Sequence, residues 1–125
     1  MVTEEDTILL FRSTGPAELE QLKENDFTRW PPRLPDQPIF YPVLHESYAE
    51  EVARNWNVPE DRMAYVTRFL VKKSFIDQYE LHMVGGELHI EYWIPAEDLE
   101  ALNDNIVGKI EVIGEFPTTG EEKST

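Results

Sequence analysis

Cysteine is absent from this 125-residue chain, which excludes disulfides, thiol nucleophiles and cysteine-ligated zinc. Cations are scarce: 11 Lys and Arg stand against 25 Asp and Glu, a formal net charge of −14. Phosphate backbones are bound by cations, so free DNA or RNA is not an expected partner. The acidity reads first as solubility, partly carried by Glu4, Glu5, Asp6, Glu121 and Glu122, with mimicry of nucleic acid or docking on a basic partner as the sharper alternative. No apolar run approaches the ~20 residues of a membrane span. The start Met1-Val2-Thr3-Glu4-Glu5-Asp6 is acidic, unlike a signal peptide. A soluble, cytoplasmic protein without membrane contact is expected. His45, His82 and His89 lack His-x-x-x-His spacing and no acid cluster completes a ligand set, so no metal site is expected. A phosphate-cradling glycine loop is missing too, since Gly85-Gly86 reads as a hairpin turn.

What is present suits one α+β domain over residues 7–114, with polar tails at 1–6 and 115–125. Thr7 to Arg12 is a short apolar run, expected as a buried strand. Ser13-Thr14-Gly15-Pro16 opens a helix whose Leu19 and Leu22 share one face, with the hydroxyls as cap candidates and proline in the first turn. The stretch from Phe27 to Pro38 is too rich in proline for helix or central strand, and predicts a loop anchored by Phe27, Trp30 and Leu34. Ile39 to Val43 predicts a second strand, with Pro42 at an edge or strand end. Glu46 to Trp56 predicts a helix, its face formed by Tyr48, Ala49, Val52, Ala53 and Trp56. From Met63 to Lys72, Tyr65, Thr67, Phe69 and Val71 alternate with Ala64, Val66, Arg68 and Leu70, a strand pattern. A helical turn near Ser74 to Gln78 leads to a strand over Tyr79–Val84. The Gly85-Gly86 hairpin then joins a strand over Glu87–Ile94. Ala96 to Asn103 predicts a helix with acids in its first turn, and Ile106 to Ile113 a closing strand. The expected architecture is a split, mostly antiparallel sheet of about six strands with small flanking helices.

One strand carries most of the chemistry. Along Leu88–Ile94, the residues Leu88, Ile90, Tyr92 and Ile94 form a core face, whereas His89, Glu91 and Trp93 share the other. An acid between an imidazole and an indole suits the floor of a cleft for an aromatic, polyhydroxylated ligand. Each candidate also has a plainer reading. Arg12 could end a strand at the surface, Glu91 could pack under a helix or at a subunit interface, and Tyr41 could be a core or rim aromatic. Arg68 could either pair with an acid or contact a phosphate, for which guanidinium geometry is suited.

The run Leu10-Phe11-Arg12, the hydroxyl-Gly-Pro turn, Pro31-Pro32-Arg33-Leu34-Pro35-Asp36-Gln37-Pro38-Ile39-Phe40-Tyr41-Pro42-Val43, Tyr65-Val66-Thr67-Arg68-Phe69, Glu91-Tyr92-Trp93-Ile94-Pro95-Ala96-Glu97 and Ile106-Val107-Gly108 together resemble the ADP-ribosyltransferase-like fold. More narrowly, the chain is similar to small bacterial and phage proteins carrying an "ADP-ribosylation/J-crystallin" label. The all-helical ADP-ribosylglycohydrolases related to J-crystallin are far longer and hold two magnesium ions; this strand-rich chain does not resemble them. The resemblance implies a split sheet around an NAD-binding crevice. It matches Arg12 to a first-strand motif that steadies a ribose or phosphate, Tyr41 to a second motif beside the nicotinamide, and Glu91 to a late-strand acid. That acid bonds ribose hydroxyls and stabilises an oxocarbenium-like transition state.

The sequence departs from the pattern in three places. Tyr41 and Tyr48 lie closer together than the paired tyrosines of one transferase class, no Ser-Thr-Ser run follows the second strand, and position 89 is His where an acceptor-activating Glu or Gln is usual. Arg12, Tyr41 and Glu91 are thus the expected catalytic residues, with Arg12, Ser13, Tyr41, Arg68, His89 and Trp93 around NAD or a related ADP-ribose-containing nucleotide. Three functions compete: nucleotide binding with ADP-ribosyl transfer to an unknown acceptor such as a protein, non-catalytic sequestering of an ADP-ribose-like or cyclic nucleotide, and an acidic protein-interaction module.

Overall fold

Alternation of apolar and polar residues at period two builds the frame of the molecule, and short amphipathic helices cover it. The structure is a computed structural model, and it describes residues 6–33, 36–58, 62–83 and 89–116. In chain order these form β1 (Thr7–Thr14), α1 (Pro16–Glu24), β2 (Ile39–Phe40) and α2 (Glu46–Val52), which widens into a π-helical turn (Ala53–Asn57). Next come β3 (Ala64–Lys72), α3 (Lys73–Ile76), β4 (Leu81–Met83), β5 (Ile90–Tyr92) and β6 (Ile94–Pro95). A 3-10 turn (Ala96–Asp98), α4 (Leu99–Asp104) and β7 (Ile106–Phe116) complete the order. The fold is mixed helix and strand with small antiparallel sheets.

β3 lies between β1 and β7, antiparallel to both. Its Thr67, Phe69 and Val71 are buried on one face, opposite Arg12, Leu10 and Ile8 of β1. Against that face pack Leu22 of α1, Ile76 of α3, Leu99 and Leu102 of α4, and Trp30 and Phe40. Ala64 and Val66 point to the other face, into a second cluster with Phe11, Val43, Ala49, Ala53 and Phe116 under α2. Further along β3 that same face is uncovered, leaving Arg68 and Leu70 exposed. β7 follows β3 only by inserting extra residues, and Gly108, at φ +78°, supplies backbone that L side chains rarely adopt.

The proline-rich loop is anchored by Trp30, which is 2% exposed and packs against Phe40 and Phe69 at ring distances of 5.3 and 5.2 Å. Asn103 of α4 holds its backbone: the side-chain oxygen accepts from Trp30 N–H at 2.8 Å and the amide donates to Trp30 C=O at 3.0 Å. Phe27 is partly buried against the same core, whereas Leu34 lies outside the described residues.

Several boundaries differ from the sequence reading. The strand expected over Ile39–Val43 is broken: β2 pairs with β6, while Val43 alone bridges Phe11 of β1 and Glu91 of β5. Val43 exchanges two backbone hydrogen bonds with Phe11, at 2.8 and 2.9 Å. Its neighbour Pro42 accepts from Tyr92 N–H at 2.9 Å but has no N–H to return. Pro42 thus lies past the end of β2 and is bonded on the Tyr92 side, as a strand-end position requires. The strand expected through Ile94 breaks at Trp93, because β5 pairs with β4 and β6 with β2. Two helices change type along their length, with α2 giving way to the π-helical turn at Ala53 and the helix after β6 opening as a 3-10 turn. Gly15, not a hydroxyl side chain, caps α1. The closing strand runs past its expected end at Ile113 to Phe116, which is 4% exposed and anchors the end of β7 in the second cluster. The Gly85-Gly86 hairpin lies outside the described residues. Among those residues, no helix is long and apolar enough to cross a membrane.

Candidate functional site

A single-residue bridge is a weak seam, and the molecule opens beside it. On one side of Val43 the backbone continues to Tyr41 and β2, which turn away to β6; on the other, β1 continues to Arg12 and Ser13. The two segments diverge and α2 lies across the gap. The result is a cleft of about 450 Å³, within the size range of small-molecule sites. Arg12, Ser13, Tyr41, Val43, Tyr48, Ala49, Val52 and Glu91 line it.

One end of the cleft is cationic. Arg12 lies on the core face of β1, where its guanidinium stacks 4.4 Å from the Phe40 ring centre and 5.6 Å from that of Trp30. Its Nε and Nη2 donate to the two carboxylate oxygens of Glu18, at 2.8 and 3.1 Å. Arg33, from the proline-rich loop, approaches the same carboxylate at 3.8 Å and also stands over Phe40, at 5.8 Å. Burial disfavours the Glu18 charge, but Arg12, the Thr14 hydroxyl and Arg33 outweigh it and hold the carboxyl below its usual range.

The opposite end is acidic and aromatic. Glu91 is 8% exposed and points from β5 toward α2, where the Tyr48 hydroxyl donates to its Oε1 at 3.3 Å. That bond is longer than the ~2.7–2.8 Å common for O–H donors. Burial raises the Glu91 carboxyl above its usual range, with Tyr48 and the charge of His82 opposing. Tyr48 is raised in turn, by burial and by the neighbouring carboxylate. His82 is the cross-strand partner of Glu91 and stacks on Trp93, 3.7 Å between ring centres and 10° between planes. Tyr41 meets Trp93 edge-on at 6.4 Å, and His89 stacks on Tyr48 at 4.5 Å with Nε2 2.6 Å from Glu51 Oε2. Tyr41 and Trp93 are 42% and 43% exposed, so this aromatic rim faces outward.

The fold thus brings Arg12, Ser13, Tyr41 and Glu91 to one cleft from three separate segments. His89 and Trp93 stand at its rim through contacts with Tyr48 and Tyr41. Arg68 lies elsewhere. It pairs with Glu111 across β3 and β7 at 2.8 Å, and lines a separate groove with Leu9, Leu70 and Val107. The uncovered half of the sheet face keeps its guanidinium in solvent beside a cross-strand acid, away from the cleft. Among the described residues, no group of three His, Asp or Glu side chains is placed to hold a metal ion.

Three participants stand outside the expected site residues: Arg33 of the proline-rich loop, Tyr48 and Glu18. Tyr48 looks like an ordinary apolar-face residue at helical spacing, and only its hydroxyl hints at a buried partner. Glu18 looks like a dipole-complementing acid in the first turn of α1. A scan against protein-family models finds no match, and a search of curated proteins finds no relative.

Proposed function

We propose that this cleft binds an NAD-related, ADP-ribose-containing nucleotide, and that ADP-ribosyl transfer from NAD is the activity it carries. The observation behind this reading is the convergence of Arg12, Ser13, Tyr41 and Glu91 on one cleft of about 450 Å³, with Tyr48 on the Glu91 carboxylate. A nucleotide of this class presents anionic phosphates, ribose hydroxyls and flat rings. Arg12 supplies a cation for the first, Glu91 an acceptor for the second, and Tyr41 with Trp93 an aromatic surface for the third. In transfer, the N-glycosidic bond breaks, nicotinamide leaves with the bonding electrons, and an acceptor nucleophile attacks the anomeric carbon. A carboxylate held in a water-poor wall stabilises the positive charge that develops there.

A second reading, binding without turnover, is favoured by position 89. There a histidine engaged with Glu51 stands where an acceptor-activating acid would be useful. A thermal-shift titration of the protein and its Glu91→Ala variant with NAD, ADP-ribose and nicotinamide tests the nucleotide reading. A ligand at about 100 times its Kd adds ~2.7 kcal/mol of stability. A shift with NAD or ADP-ribose that disappears in the variant supports the site, and no shift with any ligand sinks it. Nicotinamide released from NAD then marks an enzyme, whereas intact ligand recovered after denaturation marks a binder.

A further inference from the structure

The cationic end of the cleft does not balance its own charge. Arg12 and Arg33 leave only 12% and 11% of their side chains exposed, and they share one carboxylate, Glu18, itself 19% exposed. Among the described residues, two buried guanidiniums against one carboxylate leave about one uncompensated positive charge, and the interior penalises such a charge severely. Nearby groups do little to cancel it. Among the weaker influences on Arg33 are Asp36, which is exposed, and Tyr41, whose phenol is a poor anion at neutral pH. The Arg33 Nε is buried without a hydrogen-bond partner, an omission that calls for an acceptor. Repulsion from Arg12 adds to burial in making the charged form of Arg33 unfavourable. The excess is local and runs against a chain whose formal net charge is −14.

From this geometry we infer that Arg12, Arg33 and Glu18 form an anion clamp, in which Glu18 is a built-in counter-ion and the missing negative charge is a phosphate of the ligand. The inference rests on the nucleotide reading of the cleft and deepens it by assigning the phosphate end and adding Arg33 as a specificity-determining residue. Glu18 occupies Nε and Nη2 of Arg12, so the phosphate is taken on the remaining guanidinium edge that faces the cleft. Arg33 draws on the same carboxylate, with Nη1 3.8 Å from Oε2, which lowers the negative charge that Arg12 feels. The clamp thereby selects phosphorylated ligands over neutral nucleosides that offer the same rings and hydroxyls.

Inorganic pyrophosphate is the probe, because it carries the anion without ring or ribose. Calorimetric titration at fixed low salt compares the parent with Arg33→Met and Glu18→Gln, and circular dichroism checks the fold of each. Arg33→Met is expected to weaken pyrophosphate binding about tenfold, because Glu18 then sets its whole charge against the anion held on Arg12. Glu18→Gln is expected to do the opposite and tighten it by about as much, since an internal competitor is removed. A merely structural role for Glu18 would not tighten anion binding. Should Glu18→Gln destabilise the fold, its thermal midpoint must rise more steeply with pyrophosphate than that of the parent.

Unchanged pyrophosphate affinity in folded Arg33→Met, or no gain in Glu18→Gln by either measurement, overturns the clamp. ADP-ribose and adenosine separate the two proposals. If ADP-ribose binds and Arg33→Met leaves that binding intact, the clamp fails and the nucleotide cleft stands. If pyrophosphate binds as expected while ADP-ribose adds nothing beyond it, the clamp stands and the nucleotide reading fails.

Discussion

Two largely buried carboxylates, Glu18 behind Arg12 and Glu91 on the cleft floor, make the most instructive comparison in this molecule. Both lose hydration, and burial alone would raise both. Glu18 nevertheless stays ionised more strongly than a free carboxylate, because Arg12 bonds both of its oxygens and Arg33 adds a second positive charge. Glu91 is raised, because one phenol at 3.3 Å and the charge of His82 compensate only part of the lost water. The lesson is that depth does not decide the state of an acid; its partners do. Glu18 is saturated by the protein, whereas Glu91 retains acceptor capacity toward the cleft.

The largest test of this contrast is removal of the saturated acid. Glu18→Ala leaves Arg12 and Arg33 facing each other without a counter-ion, and is expected to cost about 2–3 kcal/mol, below the full buried-pair value because part of the side chain reaches water. Denaturant midpoints measure it, and a loss near zero would mean that the cluster does not depend on Glu18. Tyr48→Phe comes next, with a loss of about 1 kcal/mol for one hydrogen bond. In the same variant the Glu91 titration seen by carboxyl-carbon NMR is expected to move upward, since the bond favours the ionised form. A downward move would show that Tyr48 does not act on the carboxylate.

The pH dependence of stability separates the two acids by sign. For Glu18 the folded carboxyl titrates below the unfolded one, so its contribution is present above the ordinary carboxylate range and is lost as pH falls through the folded value. For Glu91 the folded carboxyl titrates above the unfolded one. Its contribution is complete below the ordinary range and is lost as pH rises through the folded value. Glu18→Gln should therefore flatten the acid limb of a stability profile, and Glu91→Gln should remove a decline with rising pH. Identical profiles for the two variants would erase the distinction. The smallest effect is expected at Arg68→Ala, where an exposed cross-strand pair with Glu111 is lost. Less than about 0.5 kcal/mol and unchanged nucleotide binding are anticipated; weakened binding would extend the site beyond the cleft.

The pattern of residues by itself determined the elements whose logic is local. Alternation marked β3 with its two faces, and the buried Thr67, Phe69 and Val71 are those the pattern placed together. It also set Glu91 opposite the core-facing Tyr92 and Ile94, because side chains two apart share a face wherever the backbone is extended. Only the tertiary structure decided which strand each segment pairs with. Trp93 looks like an interior position of a continuous strand and Pro42 like an edge or strand end, yet pairing changes partner at both, and the cleft opens beside the change. Tyr48 meets Glu91 across 43 positions and Arg33 reaches Glu18 from another loop, contacts set by strand order and not by spacing. Arg68 shows the same limit from the other side. Its strand face was legible, but which half of that face α2 covers was not, and coverage alone separates the buried Val66 from the exposed Arg68.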